Sequence, residues 1–336
     1  MRHKWKFIIT AIGILFLFGA GSALGYTAFL TNKAEKVTKQ SQMELERGER
    51  SEKRENIVNP EVDNTSILFV GIDSSEKRNS DGEANSRSDA LVLATFNNDK
   101  ESVKMLNIPR DSYVYIPEVG YKDKITHAHA FGGINATVNT VETMLDVPVD
   151  YYVRLDFNSF VDVVNALGGI EFNVPFRMEE QNSRDKKDTI VLDQGKQTLN
   201  GEEALALART RKYDSDLARG QRQMELIQAI VKKASSLHSI GNYGEVIDSL
   251  GKHMKTNLSF EQLTTFKDYV VHKEAVEFET MQLEGEPQTI NGVWYYSVDH
   301  TSLEKSKYSL KHHLGINVSN QTEMADDTEK DASDSM

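Results

Sequence analysis

The chain has 336 residues, 39 Lys plus Arg against 51 Asp plus Glu, a formal net charge of −12, 39% hydrophobic residues and no cysteine. This is a globular composition, and its acidic balance excludes a protein that coats nucleic acid, which needs a broad excess of Lys and Arg on the contacting face. The lack of cysteine removes disulfide frameworks, thiolate zinc sites, cysteine nucleophiles and a lipidated cysteine in one step.

Residues 1–6 carry Arg2, Lys4 and Lys6 and no acid, and the next 24, Phe7 to Leu30, contain no charged side chain. As a helix that run spans about 36 Å, enough for a hydrocarbon core of about 30 Å. It exceeds the roughly 7 to 15 apolar residues of a signal-peptide core and reads as a retained transmembrane signal-anchor over 7–30. The small residues Gly19-Ala20-Gly21-Ser22-Ala23 leave a cleaved signal peptide as the other reading. The positive-inside rule keeps residues 1–6 in the cytoplasm, so both readings place the working domain outside the cell membrane. Residues 31–56 hold seven basic and six acidic side chains, with Val37, Met43 and Leu45 almost the only apolar ones, and read as a charged, solvated stalk. Residues 321–336 read as a disordered acidic tail. Between them, 57–320 has no Pro/Gly/Ser-rich break and is expected to form one domain.

Within it, Ser66 to Val70, Ala90 to Phe96 and Val103 to Ile108 read as buried strands, with Asn97-Asn98-Asp99-Lys100 as a turn. Ala136 to Leu145 and Ser159 to Leu167 show helical spacing, and Tyr151 to Phe157 and Ile170 to Val174 read as strands. Helices are expected at Glu202 to Ala208, Met224 to Leu237 and between Tyr243 and Val271, and a late strand at Trp294 to Val298. This alternation predicts an α/β domain with a mixed central β-sheet flanked by helices.

A simple antiparallel meander of the first three strands puts the end of the first, the start of the second and the end of the third on one edge. Asp73, Asp89 and Arg110 fall there, with Arg87 two residues from Asp89. Two carboxylates so placed suit Mg²⁺, which takes one or two protein carboxylates and leaves its other positions to water and phosphate oxygens; the alternative is that both merely cap turns. A second cluster, Arg209 to Gln223, holds five basic residues in fifteen positions, and Arg219, Arg222 and Gln223 share a helix face. Arginine outnumbers lysine there four to one, and its planar fork suits phosphate oxygens, whereas a solvated face paired with Asp214 and Asp216 is the bland alternative. No phosphate-binding Gly-rich loop, serine elbow or His-Glu-x-x-His occurs. His127 and His129 are spaced too unfavourably to share a metal and read as structural.

These blocks together resemble the LytR-CpsA-Psr family of membrane-anchored cell-wall ligases. The resemblance covers roughly residues 65 to 280 and rests on Leu68-Phe69-Val70-Gly71-Ile72-Asp73, Arg87-Ser88-Asp89-Ala90-Leu91 and Asn107-Ile108-Pro109-Arg110-Asp111-Ser112. It continues through Lys124-Ile125-Thr126-His127-Ala128-His129, Gly132-Gly133, Asp150-Tyr151-Tyr152-Val153, Leu167-Gly168-Gly169-Ile170 and the segment ending Arg222-Gln223. Where the family often has Phe-Gly before its third arginine, this chain has Leu217-Ala218.

The resemblance implies transfer of an anionic glycopolymer, wall teichoic acid or a capsule-like polysaccharide, from a polyprenyl pyrophosphate carrier to peptidoglycan N-acetylmuramic acid through a phosphodiester. It implies Asp73 and Asp89 as ligands of Mg²⁺, with Mn²⁺ as the alternative ion. Arg87, Arg110, Lys124, Arg209, Arg211, Arg219 and Gln223 are then pyrophosphate or head-group contacts, with Arg222 on the same helix face. Asp216 is the first candidate base for the acceptor hydroxyl and Asp111 the second. The same residues with water as acceptor would make a polyprenyl-pyrophosphate hydrolase, and a non-enzymatic polymer-binding module is the third reading. An exported acidic domain cannot act on the chromosome.

Overall fold

The computed structural model describes residues 24–72, 86–184, 186–210, 212–213, 216–236, 246–249, 251, 254–266 and 277–316. Strands β1 (Thr65–Ile72), β2 (Ser88–Asn97) and β3 (Ser102–Asn107) form the expected antiparallel meander, in register Leu68↔Leu93 and Leu93↔Leu106. β6 (Tyr151–Asp156) pairs parallel to β1, β12 (Glu277–Gln282) parallel to β3, and β11 (Lys255–Thr256) antiparallel to β6. The order is β11-β6-β1-β2-β3-β12, a mixed sheet in which the carboxyl ends of β6, β1, β3 and β12 share one edge with the start of β2.

The strands read as continuous apolar runs because both faces are covered. Ile67, Val92, Ala94, Val103, Met105 and Val153 bury against α3 (Phe157–Ala166), α4 (Gly201–Arg209), α5 (Asp216–Ser236) and α6 (Phe260–Thr265). Leu68, Val70, Leu91, Leu93, Leu106 and Tyr152 bury on the opposite face against α2 (Thr126–Leu145) and α7 (His300–His313). Each such side chain contributes roughly 1.5–3 kcal/mol on leaving water.

Short paired strands decorate this frame: β4 (Tyr113–Ile116) with β5 (Tyr121–Lys124), β7 (Ile170–Val174) with β10 (Gly195–Leu199), β8 (Met178–Glu180) with β9 (Ile190–Leu192), and β13 (Gly285–Ile290) with β14 (Val293–Val298). The last pair turns at Asn291-Gly292, both with positive φ, which matches the right-handed twist of the flanking strands.

Two expectations change. Helix α2 begins at Thr126, ten residues before Ala136, and is interrupted at Gly132-Gly133, where Gly133 takes φ +61°. Between Tyr243 and Val271 the described chain is helical at 246–249, at 251 and in α6, as expected, with β11 between them. Residues 31–56, expected as a solvated stalk, pack on the domain: α1 (Leu24–Ser41) buries Leu30, Ala34, Thr38 and Ser41, and Leu45 joins the core. The reason is charge pairing. Arg47 pairs with Glu142, and Arg54 grips Asp150 with Nε–Oδ1 at 2.9 Å and Nη2–Oδ2 at 2.7 Å. A charge-rich segment can thus be held down when a few of its charges find buried partners.

Among the described residues no helix is long and apolar enough to cross a membrane. Residues 7–23 of the expected span and the tail 321–336 lie outside the described residues, as do Asp73, Arg211 and the side chain of Asp216.

Candidate functional site

The carboxyl edge of the parallel strands gathers the charged residues. At the end of β1 the register with β2 slips between Gly71 and Ile72, a bulge that re-aims the strand end. Asp89, second residue of β2, is half-buried and its carboxylate takes an ion pair from the Arg110 Nη1, beyond the end of β3. Arg110 Nε lies 3.5 Å from Asp111 Oδ2, and Lys124 Nζ lies 2.9 Å from Asp111 Oδ1. Asp111 is 2% exposed. A buried carboxylate between two cations fixes both head groups, and the chain Asp89–Arg110–Asp111–Lys124 runs along the edge as one unit. Arg87 is exposed just before β2.

The second cluster comes from the helices on the sheet's other side. Arg209, in the last turn of α4, lies with its guanidinium carbon 5.0 Å from the Phe157 ring centroid. Phe157 follows Asp156, the register partner of Ile72, so Arg209 stands at the same edge. Helix α5 approaches β3 closely: a Cβ on Gly220 would sit 2.2 Å from Asn107 Nδ2 and displace that side chain, and its neighbour Arg219 is brought buried to the end of β3.

Arg222 and Gln223 are placed differently from Arg219. Arg222 Nε donates to the Leu207 carbonyl at 2.8 Å and Nη2 to that of Thr210 at 2.9 Å, while its plane stacks over Phe176 at 5.4 Å. Gln223 Nε2 donates to the Ala208 carbonyl at 3.1 Å. Both side chains satisfy the open carbonyls where α4 ends, so a shared helix face does not make a shared ligand. His129 is buried, with Nδ1 2.8 Å from the Ser86 carbonyl oxygen, and His127 Nδ1 lies 2.8 Å from Asp123 Oδ2. Each is tied into the protein, as their spacing suggested.

Among the described residues no group of three or more His, Asp or Glu side chains converges to hold a metal. Among the described residues Asp89 offers a hard oxygen donor at the edge. Mg²⁺ needs only one or two such carboxylates, with phosphate and water oxygens completing its shell, so the donor chemistry fits an ion shared between protein and a phosphorylated ligand.

One feature escaped the sequence reading. Lys124 Nζ sits 5.6 Å from the centroids of both the Trp294 and Tyr295 rings, and Tyr113 packs on Tyr295 at 4.7 Å. Desolvation, followed by the Asp123 carboxylate and the Tyr113 ring, pushes the Tyr295 phenol above its ordinary value. The Asn291-Gly292 turn was the available signal for this hairpin.

Together these features define an α/β domain of the kind that holds a phosphorylated anion at the carboxyl ends of its parallel strands. Comparison with known proteins narrows that class. The LytR_cpsA_psr family matches residues 28–312. The polyisoprenyl-teichoic acid–peptidoglycan teichoic acid transferase TagT of Bacillus subtilis (strain 168) is 43% identical over 314 residues, 93% of this chain and 95% of its own. The solved structure of TagT bound to LIIa-WTA superposes with a TM-score of 0.68 at 43% identity, over 82% of this chain and 100% of that one. TagT with bound octaprenyl pyrophosphate lipid gives 0.65 at 40% identity, again over 82% and 100%. The chain belongs to the LytR-CpsA-Psr family.

Proposed function

We propose that the protein is a phosphotransferase that attaches an anionic glycopolymer, carried on a polyprenyl pyrophosphate, to N-acetylmuramic acid of peptidoglycan through a phosphodiester bond. The observation that carries this reading is the Asp89–Arg110–Asp111–Lys124 chain at the carboxyl edge, in a family whose relatives are named teichoic acid transferases and include one holding a polyprenyl pyrophosphate. By the uncharged run 7–30, the chain is held in the cell membrane by a single span, with residues 1–6 inside and the domain outside.

The muramic acid hydroxyl oxygen forms a bond to the sugar-proximal phosphorus, and the bond from that phosphorus to the bridging oxygen breaks, releasing polyprenyl phosphate. Arg110, Lys124, Arg209 and Arg219 grip the pyrophosphate and absorb charge on the leaving oxygen, with Arg87 and Arg211 as further contacts. Asp73 and Asp89 would hold Mg²⁺, or Mn²⁺, which when bound neutralises phosphate oxygens. Asp111, committed to Arg110 and Lys124, is a positioning group, which leaves Asp216 as the acceptor of the hydroxyl proton.

The test uses the full-length chain in detergent micelles, because residues 31–56 are part of the folded domain. It is incubated with a polyprenyl-pyrophosphate-linked saccharide, a peptidoglycan oligomer and Mg²⁺, and the products go to mass spectrometry. A saccharide joined to the oligomer by a phosphodiester, absent with Asp73→Ala, is the expected result. Released sugar phosphate without joining would make the protein a hydrolase, and no turnover would leave a binding module.

A further inference from the structure

Strand β14 lies beside β4 through the Ser112–Tyr296 bridge and a 2.9 Å bond from the Tyr296 N–H to the Asp111 carbonyl. The pairs β5–β4 and β14–β13 thus join into one small surface that starts at the charged edge. Val114 and Ile116 of β4 point into the core, so Tyr113 and Tyr115 face outward, opposite their register partners Lys124 and Lys122. Tyr295 packs on Tyr113 at 4.7 Å and extends the same surface, and Lys122 Nζ sits 5.8 Å over Tyr113. Trp294, the preceding residue of β14, meets Lys124 Nζ at 5.6 Å from the other side of the strand. Three tyrosine rings flanked by Lys122 and Lys124, with Tyr115 44% exposed, mark a contact surface.

Flat rings edged by hydrogen-bonding groups match the faces of pyranose sugars, whose axial C–H bonds stack on aromatic π systems while equatorial hydroxyl and N-acetyl groups reach polar neighbours. We propose that this face binds the glycan strand of the acceptor, a β-linked chain of N-acetylated hexosamines, and delivers one ring to Lys124. The inference rests on the transferase reading above. The donor's sugars carry anionic links that suit the arginine side of the edge, whereas an open aromatic face leading away from Lys124 suits an uncharged, equatorially linked backbone. Among the described residues acyl chains would find only Val293 as an exposed aliphatic side chain here, among rings interspersed with Lys122, Lys124 and Gln288.

Tryptophan occurs at Trp5 and Trp294 alone, so in full-length Trp5→Phe chain in micelles the emission reports the surroundings of Lys124, where the face begins. The chain is titrated with chitohexaose and with uncrosslinked peptidoglycan glycan strands, without donor. The expected result is a saturable emission change, with affinity weakened about fivefold to tenfold by Tyr115→Ser and by Tyr295→Leu and kept by Tyr295→Phe. Should Tyr295→Leu fail to fold by circular dichroism, Tyr115→Ser at its exposed position decides. Unchanged affinity in the folded variants overturns the proposal. So does a response confined to phosphatidylglycerol vesicles, which would make the face a membrane contact, or one confined to the lipid-linked saccharide, which would assign it to the donor. Turnover is not read, so glycan binding that persists in a chain without transfer activity would keep this site and remove the reaction.

Discussion

At the amino end of β1 and β6, Arg54 is matched atom for atom to Asp150, which also accepts from the Ser66 N–H at 2.9 Å and the Ser66 hydroxyl at 3.1 Å. Beside it Glu142 accepts from Arg47, from the Ser51 hydroxyl at 2.6 Å and from the Val149 N–H at 2.7 Å. At the carboxyl end of the same strands, Arg110 and Lys124 share Asp111, and Arg87, Arg209 and Arg219 lie along the same edge. The two ends use the same residue types. Where Arg47 and Arg54 each meet a buried carboxylate, the pairs clamp the segment after α1 to the domain. Where Arg110 and Lys124 share one buried carboxylate and further arginines gather beside them, the arrangement is the one proposed above to meet an anion.

This contrast is broken most sharply at Asp89. With Asp89→Asn, transfer activity is expected to fall about 100-fold or more while the urea midpoint stays near that of the parent chain, measured on the same preparation. Excess EDTA should abolish the parent activity and Mg²⁺ should restore it. At the opposite end the outcome inverts: Asp150→Ala strands the Arg54 guanidinium and should cost about 3–5 kcal/mol of stability. Activity per folded molecule, from rates normalised to the folded fraction, is expected to be unchanged.

Arg222 sharpens the comparison because it sits in the arginine cluster yet is matched like Arg54. Arg222→Ala removes two bonds to the α4 carbonyls and should lower stability by roughly 2–3 kcal/mol in denaturant titration. Arg219→Ala should instead weaken binding of a pyrophosphate ligand with less change in midpoint.

The smallest effect is expected at His313, near the turn between β2 and β3. Its Nδ1 lies 2.8 Å from Thr95 Oγ1 and its Nε2 2.9 Å from Ser102 Oγ, and burial, followed by Lys104 and Lys100, lowers its pKa to about 4. The unfolded chain takes up this proton first, near pH 6.5, so the contribution is intact above pH 6.5 and declines as pH falls toward 4. By pH 5 about 2 kcal/mol is lost. His313→Gln should shrink the difference between urea midpoints at pH 7 and pH 5, and an unchanged difference would show that other groups carry it.

Several elements were legible without coordinates. The meander followed from three apolar runs and a turn, and it brought Asp89 and Arg110 together before any distance was known. The capping box of Asn200 and Glu203 starts α4 close to the Glu202 to Ala208 reading. These are local signals, or consequences of strand order. The roles of Arg222 and Gln223 were not legible, because helical spacing gives a common face but not what that face meets. The β4–β5 hairpin went unread for a related reason: its outward positions are Tyr and Lys, and its inward partners are only Val114 and Ile116.

By itself the sequence determined the α/β class, the paired charges at the end of the first strands and membership in a family, because strand periodicity, turn residues and motif order are all properties of neighbours along the chain. The tertiary structure decided which arginines are spent inside the protein, that residues 31–56 belong to the fold, and that Trp294 and Tyr295 stand over Lys124 some 170 residues earlier. Each of these depends on a partner distant in sequence. Charge pairing and ring stacking carry no period that a single segment can reveal, so only the folded chain shows which partner each charge and ring meets.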